Sequence, residues 1–337
     1  MTDPLQPALS SATFFTITDA RFAPATAAML NSLRLQGHDE PVVILDVGLD
    51  ERGRRGLERA ATLIKFDRGL ASNPTLFKAF PRLARPSGVV VIIDSDQIVT
   101  HSLDGVVEAA AEGAICAVPD PEVNRWFTEW SHLFELRAEL RRQPYVNAGF
   151  IAFSVDHWPE LLDRWWTACE RIWNVPTIYE RNDGDDAPAA QGDQDALNAI
   201  LMSEVPLGSV RLLDPSLAPA ADAIAEGVEI VKLDPPRCRY RGTETLMLHS
   251  AGRAKPWIAS DWPYVRRTAY VRLLRRLLTG DDIAVRLPSR SLPPWLRRGL
   301  AGATSMVLLN GVLAIAWRLG NIPLVRPLAR RVRIALT

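Results

Sequence analysis

Gly88-Val89-Val90-Val91-Ile92-Ile93-Asp94-Ser95-Asp96-Gln97 is the stretch on which the reading of this chain turns. Its first seven residues, GVVVIID, form the most apolar segment of strand length in the sequence. A strand with one wet face alternates apolar and polar residues. A strand apolar on both faces must be covered on both, as in a parallel sheet between helical layers. In such sheets ligands bind just beyond the carboxyl ends of the strands, and here two carboxylates stand at that end. At i and i+2 of an extended segment, Asp94 and Asp96 are expected to point the same way. Two hard anionic oxygens suit a divalent cation, and magnesium or manganese held there also takes phosphate oxygens of a substrate. Asp-x-Asp alone also describes a solvated turn and matches often by chance. The apolar run before it brings the two readings level.

Working outward, strands are expected at Thr13–Thr18 (TFFTIT), Pro41–Asp46, Thr62–Lys65, Ala114–Val118, Asn147–Phe153 and Thr245–Leu248. Helices are expected at Ala25–Gln36 behind Pro24, at Glu51–Ala60, at Thr75–Leu83, at Pro159–Trp173 and from Asp193 toward Met202. Asp193 is placed to cap the last of these, and residues 182–192 read as a polar loop. Trp165 and Trp166 are read as core packing rather than a sugar platform, since aromatics at helical spacing usually pack. Alternating strands and helices give an α/β fold: a mostly parallel central sheet with helices on both faces.

The 337 residues suffice for a sizeable core, and 47% apolar with 23% charged residues is ordinary for a globular chain. Cys116, Cys169 and Cys238 have no metal or redox spacing, which suits a reducing compartment. Residues 1–11 lack a basic stretch followed by an apolar one, so no signal peptide is expected, and the expected location is cytoplasmic. Only four lysines occur, Lys65, Lys78, Lys232 and Lys255, an arginine preference that reads as a GC-rich bacterial coding bias. Zero net charge hides an asymmetry. Residues 264–337 carry fourteen arginines against Asp281 and Asp282, a net +12 that leaves −12 for the rest. An acidic body with a basic tail is not the profile of a nucleic-acid binder.

Three further blocks accompany the Asp-Ser-Asp motif: Asn147-Ala148-Gly149-Phe150, Asp193-Gln194-Asp195-Ala196-Leu197-Asn198, and His249-Ser250-Ala251-Gly252-Arg253-Ala254-Lys255-Pro256-Trp257. Together, in this order, they resemble the GT-A nucleotide-sugar transferases, in particular glycosyltransferase family 8, which includes bacterial lipopolysaccharide galactosyltransferases and glycogenin. The last block, His-x-x-Gly-x-x-Lys-Pro-Trp, is the most specific. The resemblance runs from about Thr13 to Trp257. It implies a retaining glycosyltransferase with manganese or magnesium as cofactor and a nucleotide-diphosphate sugar, expected to be a UDP-hexose, as donor. The acceptor would be a glycan, lipid-linked saccharide or protein. It also implies roles: Asp94, Asp96 and His249 as metal ligands; Asp19 and Phe22 at the uracil; Asn147 and Ala148 along the donor sugar. Asp193 would bind hydroxyls of the transferred sugar, and Gln194 would lie near the anomeric carbon. Lys78 and Asp120 match donor-contacting positions by spacing.

The residues make chemical sense on their own. A neutral His249 with two carboxylates is an O,O,N set acceptable to manganese. Gly252 lets the backbone approach a phosphate closely, and Lys255 supplies a point charge to a diphosphate. A solvated helix lysine describes Lys78 equally well. Three parts are expected: a lead over 1–12, a GT-A catalytic domain over 13–262, and a basic helical tail over 263–337. In the tail, Gly299–Trp317 is 19 uncharged residues, barely the length of a bilayer span, and Pro323–Leu336 reads as a basic amphipathic helix. Attachment to the anionic inner face of the cytoplasmic membrane is preferred over packing on the domain or a second subunit, and both over a true span. Two other classes are weighed. A sugar-1-phosphate nucleotidylyltransferase would carry a glycine-rich loop after the first strand, and Thr18–Pro24 has no glycine. A non-catalytic sugar-nucleotide binder or scaffold would be expected to have lost some of Asp94, Asp96, His249 and Lys255.

Overall fold

β4 (Val89–Ile93) lies at the centre of a seven-stranded sheet and divides the apolar residues of the sequence between two cores. Val89, Val91 and Ile93 face one, Val90 and Ile92 the other, and all five are buried. This is a computed structural model; it describes residues 12–66, 73–177, 187–220, 227–252, 255–258 and 268–300, with single positions between 302 and 315. Ahead of β4 come β1 (Ala12–Thr18), β2 (Val42–Asp46) and β3 (Thr62–Lys65); later in the chain come β6 (Ile115–Pro119), β7 (Val146–Ser154) and β8 (Val210–Leu212). Their order across the sheet is β3-β2-β1-β4-β7-β6-β8. β7 pairs antiparallel with both β4 and β6, and the other pairs are parallel. The expected mostly parallel α/β sheet is therefore present, with one reversed strand.

On one face pack α1 (Ala23–Leu35), α4 (Asp104–Ala111) and α8 (Ala269–Thr279); on the other, α6 (Leu161–Glu170) and α7 (Asp193–Ser203). Short helices α2 (Glu51–Leu57), α3 (Pro81–Ala84) and α5 (Trp130–Leu133) fill the connections. Two antiparallel additions flank the sheet. β5 (Gln97–Val99) pairs with β12 (Met247–His249), and β9 (Val228–Leu233), β10 (Pro236–Tyr240) and β11 (Thr243–Glu244) form a separate three-stranded sheet.

Three local expectations need correction. The single helix over 75–83 is a 3-10 turn, Pro74–Phe77, followed by α3, because Pro81 has no N–H for a continuing helix and is tolerated only in a first turn. The helix over 51–60 stops at Leu57. Gly192, not Asp193, occupies the N-cap of α7; it has φ +59°, and Asp193 is the first helical residue.

The chain beyond the last sequence motif is built into the same core. In α8, Tyr270, Leu273, Leu274 and Leu277 are fully buried, as are Val285 and Leu296 after it. Asn31 of α1 donates to the carbonyls of Leu277 and Val285 and accepts the Val285 N–H at 2.7 Å. The lead over 1–11 and the amphipathic segment over 323–336 lie outside the described residues. Among the described residues no helix is long and apolar enough to cross a membrane.

Candidate active site

The carboxyl end of β4 gives way at once to a turn. Asp94 follows the strand, the N–H of Gln97 donates to its carbonyl at 3.0 Å, and β5 leaves in a new direction. The two carboxylates therefore converge through this turn and not through the alternation of an extended strand. β12 runs beside β5 with His249 opposite Gln97. This register delivers the imidazole: His249 Nε2 lies 3.3 Å from an Asp96 oxygen and 3.6 Å from an Asp94 oxygen. The three ligand atoms fall within 4.8 Å of one another.

Gly149 of β7 closes the floor. A Cβ there would sit 2.6 Å from His249 Cε1, 2.7 Å from Asn147 Oδ1 and 2.8 Å from Asp94 Oδ2. Only glycine leaves these side chains where they are. Two carboxylates, an imidazole nitrogen and a floor without a side chain fit a divalent cation with room for further oxygen ligands.

Two lysines from opposite sides neutralise part of the acid. Lys255 reaches Asp96 at 2.6 Å and the Ser250 carbonyl at 2.6 Å. Lys78 is buried between Asp94, at 2.9 Å, and Asp193, at 3.3 Å, and it donates to the Ala148 carbonyl. Burial by itself would push the Lys78 ammonium down, but the Asp193 and Asp94 carboxylates outweigh it and hold it well above the ordinary lysine value. Asp96 likewise is raised by burial, more than offset by Lys255 and His249, so its carboxyl stays well below the usual carboxylate range. Asp94, Asp96 and Asp193 against the two lysines sum to −1. A divalent cation would turn this to +1, the sign that receives a diphosphate.

The loop after β1 meets the loop after β12. Asp19 Oδ1 accepts the N–H groups of Arg21 and Phe22, shaping the turn after β1. The Phe22 ring then packs edge-on to Trp257 at 5.5 Å, with Lys255 Nζ 5.7 Å above it. Gly252 has φ +90° and open space around it, so another group can approach its backbone closely.

The remaining residues form an amide network. Asp120 Oδ2 accepts from both Asn147 Nδ2 and Gln194 Nε2 at 3.0 Å, while Gln194 Oε1 accepts the Ala148 N–H at 2.9 Å. Both ends of the Gln194 amide are thus fixed. Every residue singled out in the sequence for this site falls into one of these four groups: the carboxylate and imidazole cluster, the two lysines with Asp193, the pair of loops and the amide network.

Sequence reasoning missed what holds the network. Asp195 receives two bonds from Arg125, one from the Tyr145 phenol at 2.8 Å and one from the Gln191 N–H. Arg125 stands 70 residues away, so no local spacing announces it. Trp165 is core, as expected, and its indole also holds the Asp193 carbonyl at 2.9 Å. A second group with metal-like spacing, His38, Glu40 and Asp104, is of another kind. His38 Nε2 accepts the Leu103 N–H, so Nδ1 carries the proton and donates toward Glu40; no ring lone pair is left for a cation.

No protein-family model and no curated protein matches this chain. Solved structures do. The galactosyltransferase LgtC, in complex with donor and acceptor sugar analogues, superposes with a TM-score of 0.52 at 16% identity, over 80% of this chain and 98% of LgtC. The bifunctional glycosyltransferase WbbM gives 0.49 at 16% identity, over 81% of this chain and 50% of WbbM. The glycosyltransferase GlyE of Streptococcus pneumoniae TIGR4 gives 0.43 at 16% identity, over 74% of this chain and 56% of GlyE. The likeness to LgtC shows a shared fold. The chain has the GT-A fold expected from the sequence, and the likeness to LgtC bears this out at the level of fold.

Proposed function

We propose that this protein is a metal-dependent, retaining glycosyltransferase of family 8 that transfers a hexose from a UDP-sugar to a saccharide, lipid-linked or protein acceptor. The observation that carries the reading is the convergence of Asp94, Asp96 and His249 over Gly149, at the carboxyl end of the central strand of a GT-A fold. These three residues would hold manganese or magnesium. When bound, the ion supplies Lewis-acid neutralisation of the leaving diphosphate.

The chain's own residues do the rest. Lys255 adds a positive charge at the diphosphate, and Gly252 lets the backbone approach it. Lys78 bridges Asp94 and Asp193. Asp19 and Phe22 receive the uracil, and Asp193 and Asn147, with the Ala148 backbone, line the sugar. Gln194, oriented by Asp120 and Ala148, presents a fixed dipole beside the anomeric carbon, where positive charge develops as the nucleotide departs. Both carboxylates of this helix are buried and engaged, Asp195 by four hydrogen bonds and Asp193 by Lys78, which leaves neither free as a nucleophile. This favours attack by the acceptor hydroxyl on the face the nucleotide leaves. A new C–O bond forms as the sugar–phosphate bond breaks, and a diphosphate oxygen takes the acceptor proton.

We also assign the C-terminal region to the anionic inner face of the cytoplasmic membrane. Exposed Arg286 and Arg290 precede exposed Leu300, Val307, Leu308 and Ile315.

The central test is donor hydrolysis across a panel of UDP-, GDP- and CDP-sugars. UDP donors should be turned over with Mn2+, not in EDTA, and Mn2+ should restore what EDTA removes. Full turnover in EDTA overturns the metal assignment, and equal use of the three bases overturns the reading of Asp19 and Phe22.

A further inference from the structure

Asp96 is held at both ends, and one of the holds comes from outside every sequence motif. Its carboxylate faces His249 and Lys255. Its main-chain carbonyl accepts two hydrogen bonds: the Ser250 N–H at 3.1 Å and the Tyr270 phenol at 2.8 Å. Ser250 is the neighbour of His249. Tyr270 sits in the first turn of α8, 174 residues from Asp96 along the chain.

The phenol is itself fixed. Its ring is 1% exposed and lies tilted against Trp257, with centroids 6.5 Å apart. Thr268 caps the start of α8 by accepting the Val271 N–H, and Asn31 ties the far end of the helix to α1. The Trp295 indole donates to the Pro256 carbonyl, which pins the loop carrying Lys255 from the same side. One oxygen therefore joins the β4–β5 turn, the end of β12 and α8. The Asp96 side chain leaves from the Cα beside that carbonyl, so the rotation of this peptide governs where the carboxylate lies relative to His249.

We infer that Tyr270 is a positioning residue for the cation site: its O–H fixes the Asp96 peptide and thereby holds the Asp96 carboxylate opposite His249. The inference rests on the reading of Asp94, Asp96 and His249 as cation ligands. It makes the segment after Trp257 a structural part of the metal centre, although that segment brings no ligand.

The experiment is Mn2+ titration of the full-length protein, followed by the electron paramagnetic resonance of free Mn2+. It compares wild type, Tyr270→Phe, Trp158→Phe and Asp96→Ala. Phenylalanine keeps the ring in its packing and removes only the donor. Tyr270→Phe should bind Mn2+ roughly three- to tenfold more weakly, the ratio expected for one lost buried hydrogen bond. Trp158→Phe removes an indole bond to the Gly113 carbonyl at 2.9 Å, away from the site. It should lower the melting temperature and leave Mn2+ affinity unchanged. A Tyr270 with a merely structural role would behave like Trp158: a lower melting temperature at unchanged affinity overturns the inference, as does equal weakening in both variants. If wild type binds Mn2+, Asp96→Ala does not, and Tyr270→Phe matches wild type, the inference fails while the metal reading stands. If wild type binds no Mn2+, both fail.

Discussion

Gly149 is where the geometry of single atoms constrains the site most. A methyl group there would overlap His249, Asn147 and Asp94 at 2.6–2.8 Å, and all three contacts are to side chains that carry the proposed chemistry. Overpacking of a tight site costs about 1–3 kcal/mol. Here the side chains can yield, so the cost should appear as lost metal affinity more than as lost folding. Gly149→Ala is expected to weaken Mn2+ binding by about ten- to a hundredfold with a near-native circular dichroism spectrum; unchanged affinity would show that the ligands do not need this floor. Lys78 predicts the opposite balance. Removing one partner of a buried ion pair leaves the other charge uncompensated, at a cost of about 3–5 kcal/mol. Lys78→Met would leave Asp94 and Asp193 without their shared cation, and denaturant unfolding should show a loss of this order. A loss below 1 kcal/mol would mean that water already screens the pair. The residues of the candidate cation cluster were legible in the sequence because they sit in motifs of fixed spacing. Tyr270 and Arg125 were not, because each acts across 174 and 70 residues of chain through contacts that only the fold creates.

Among the elements, those whose apolar pattern is dictated by burial could be read directly. β1, β2 and β4 are such strands, and α1 and α7 such helices. The reversal of β7 could not be read, since an apolar strand buried on both faces carries no mark of its direction. The β9–β11 sheet was passed over for the reverse reason. Val228–Leu233 is half exposed to exposed throughout, so no buried stripe announces it. The segment after α8 offers the sharpest test at this scale. Val285, Leu287, Leu292, Trp295 and Leu296 all lie in the core. Burying an apolar side chain is worth about 1.5–3 kcal/mol, so five amount to roughly 10 kcal/mol as an upper figure. That is comparable with the whole stability of an ordinary domain. A chain ending at Gly280 should therefore aggregate or melt far earlier than wild type, whereas one ending at Arg298 should keep its melting temperature within a few degrees and retain UDP binding. Equal behaviour of the two would place the fold's C-terminal limit before Asp281.

For the whole molecule the deciding quantity is the separation of charge, +12 over residues 264–337 against −12 over the rest. Part of the basic charge is consumed internally: Arg276 pairs with Asp234 and Asp282, and Arg298 with Asp281. Arg272, Arg286 and Arg290 are exposed, and a basic residue close to an anionic leaflet contributes about 1 kcal/mol, fading within a Debye length. Exposed Leu300, Val307, Leu308 and Ile315 would add an apolar contribution that salt does not screen. The two contributions make different demands on a binding experiment. Full-length protein should sediment far more with vesicles containing phosphatidylserine than with neutral ones, and raising the salt should weaken the binding toward the level seen on neutral vesicles without abolishing it. The chain ending at Arg298 keeps the described arginines and loses the apolar row, so its residual binding should vanish entirely at high salt. Salt-insensitive binding of the full chain to neutral vesicles would argue for apolar insertion alone. Failure to bind either vesicle, with donor turnover intact, would instead assign the exposed row to a second protein surface, and the oligomeric state of the two chains by light scattering would then separate a dimer contact from an unrelated partner.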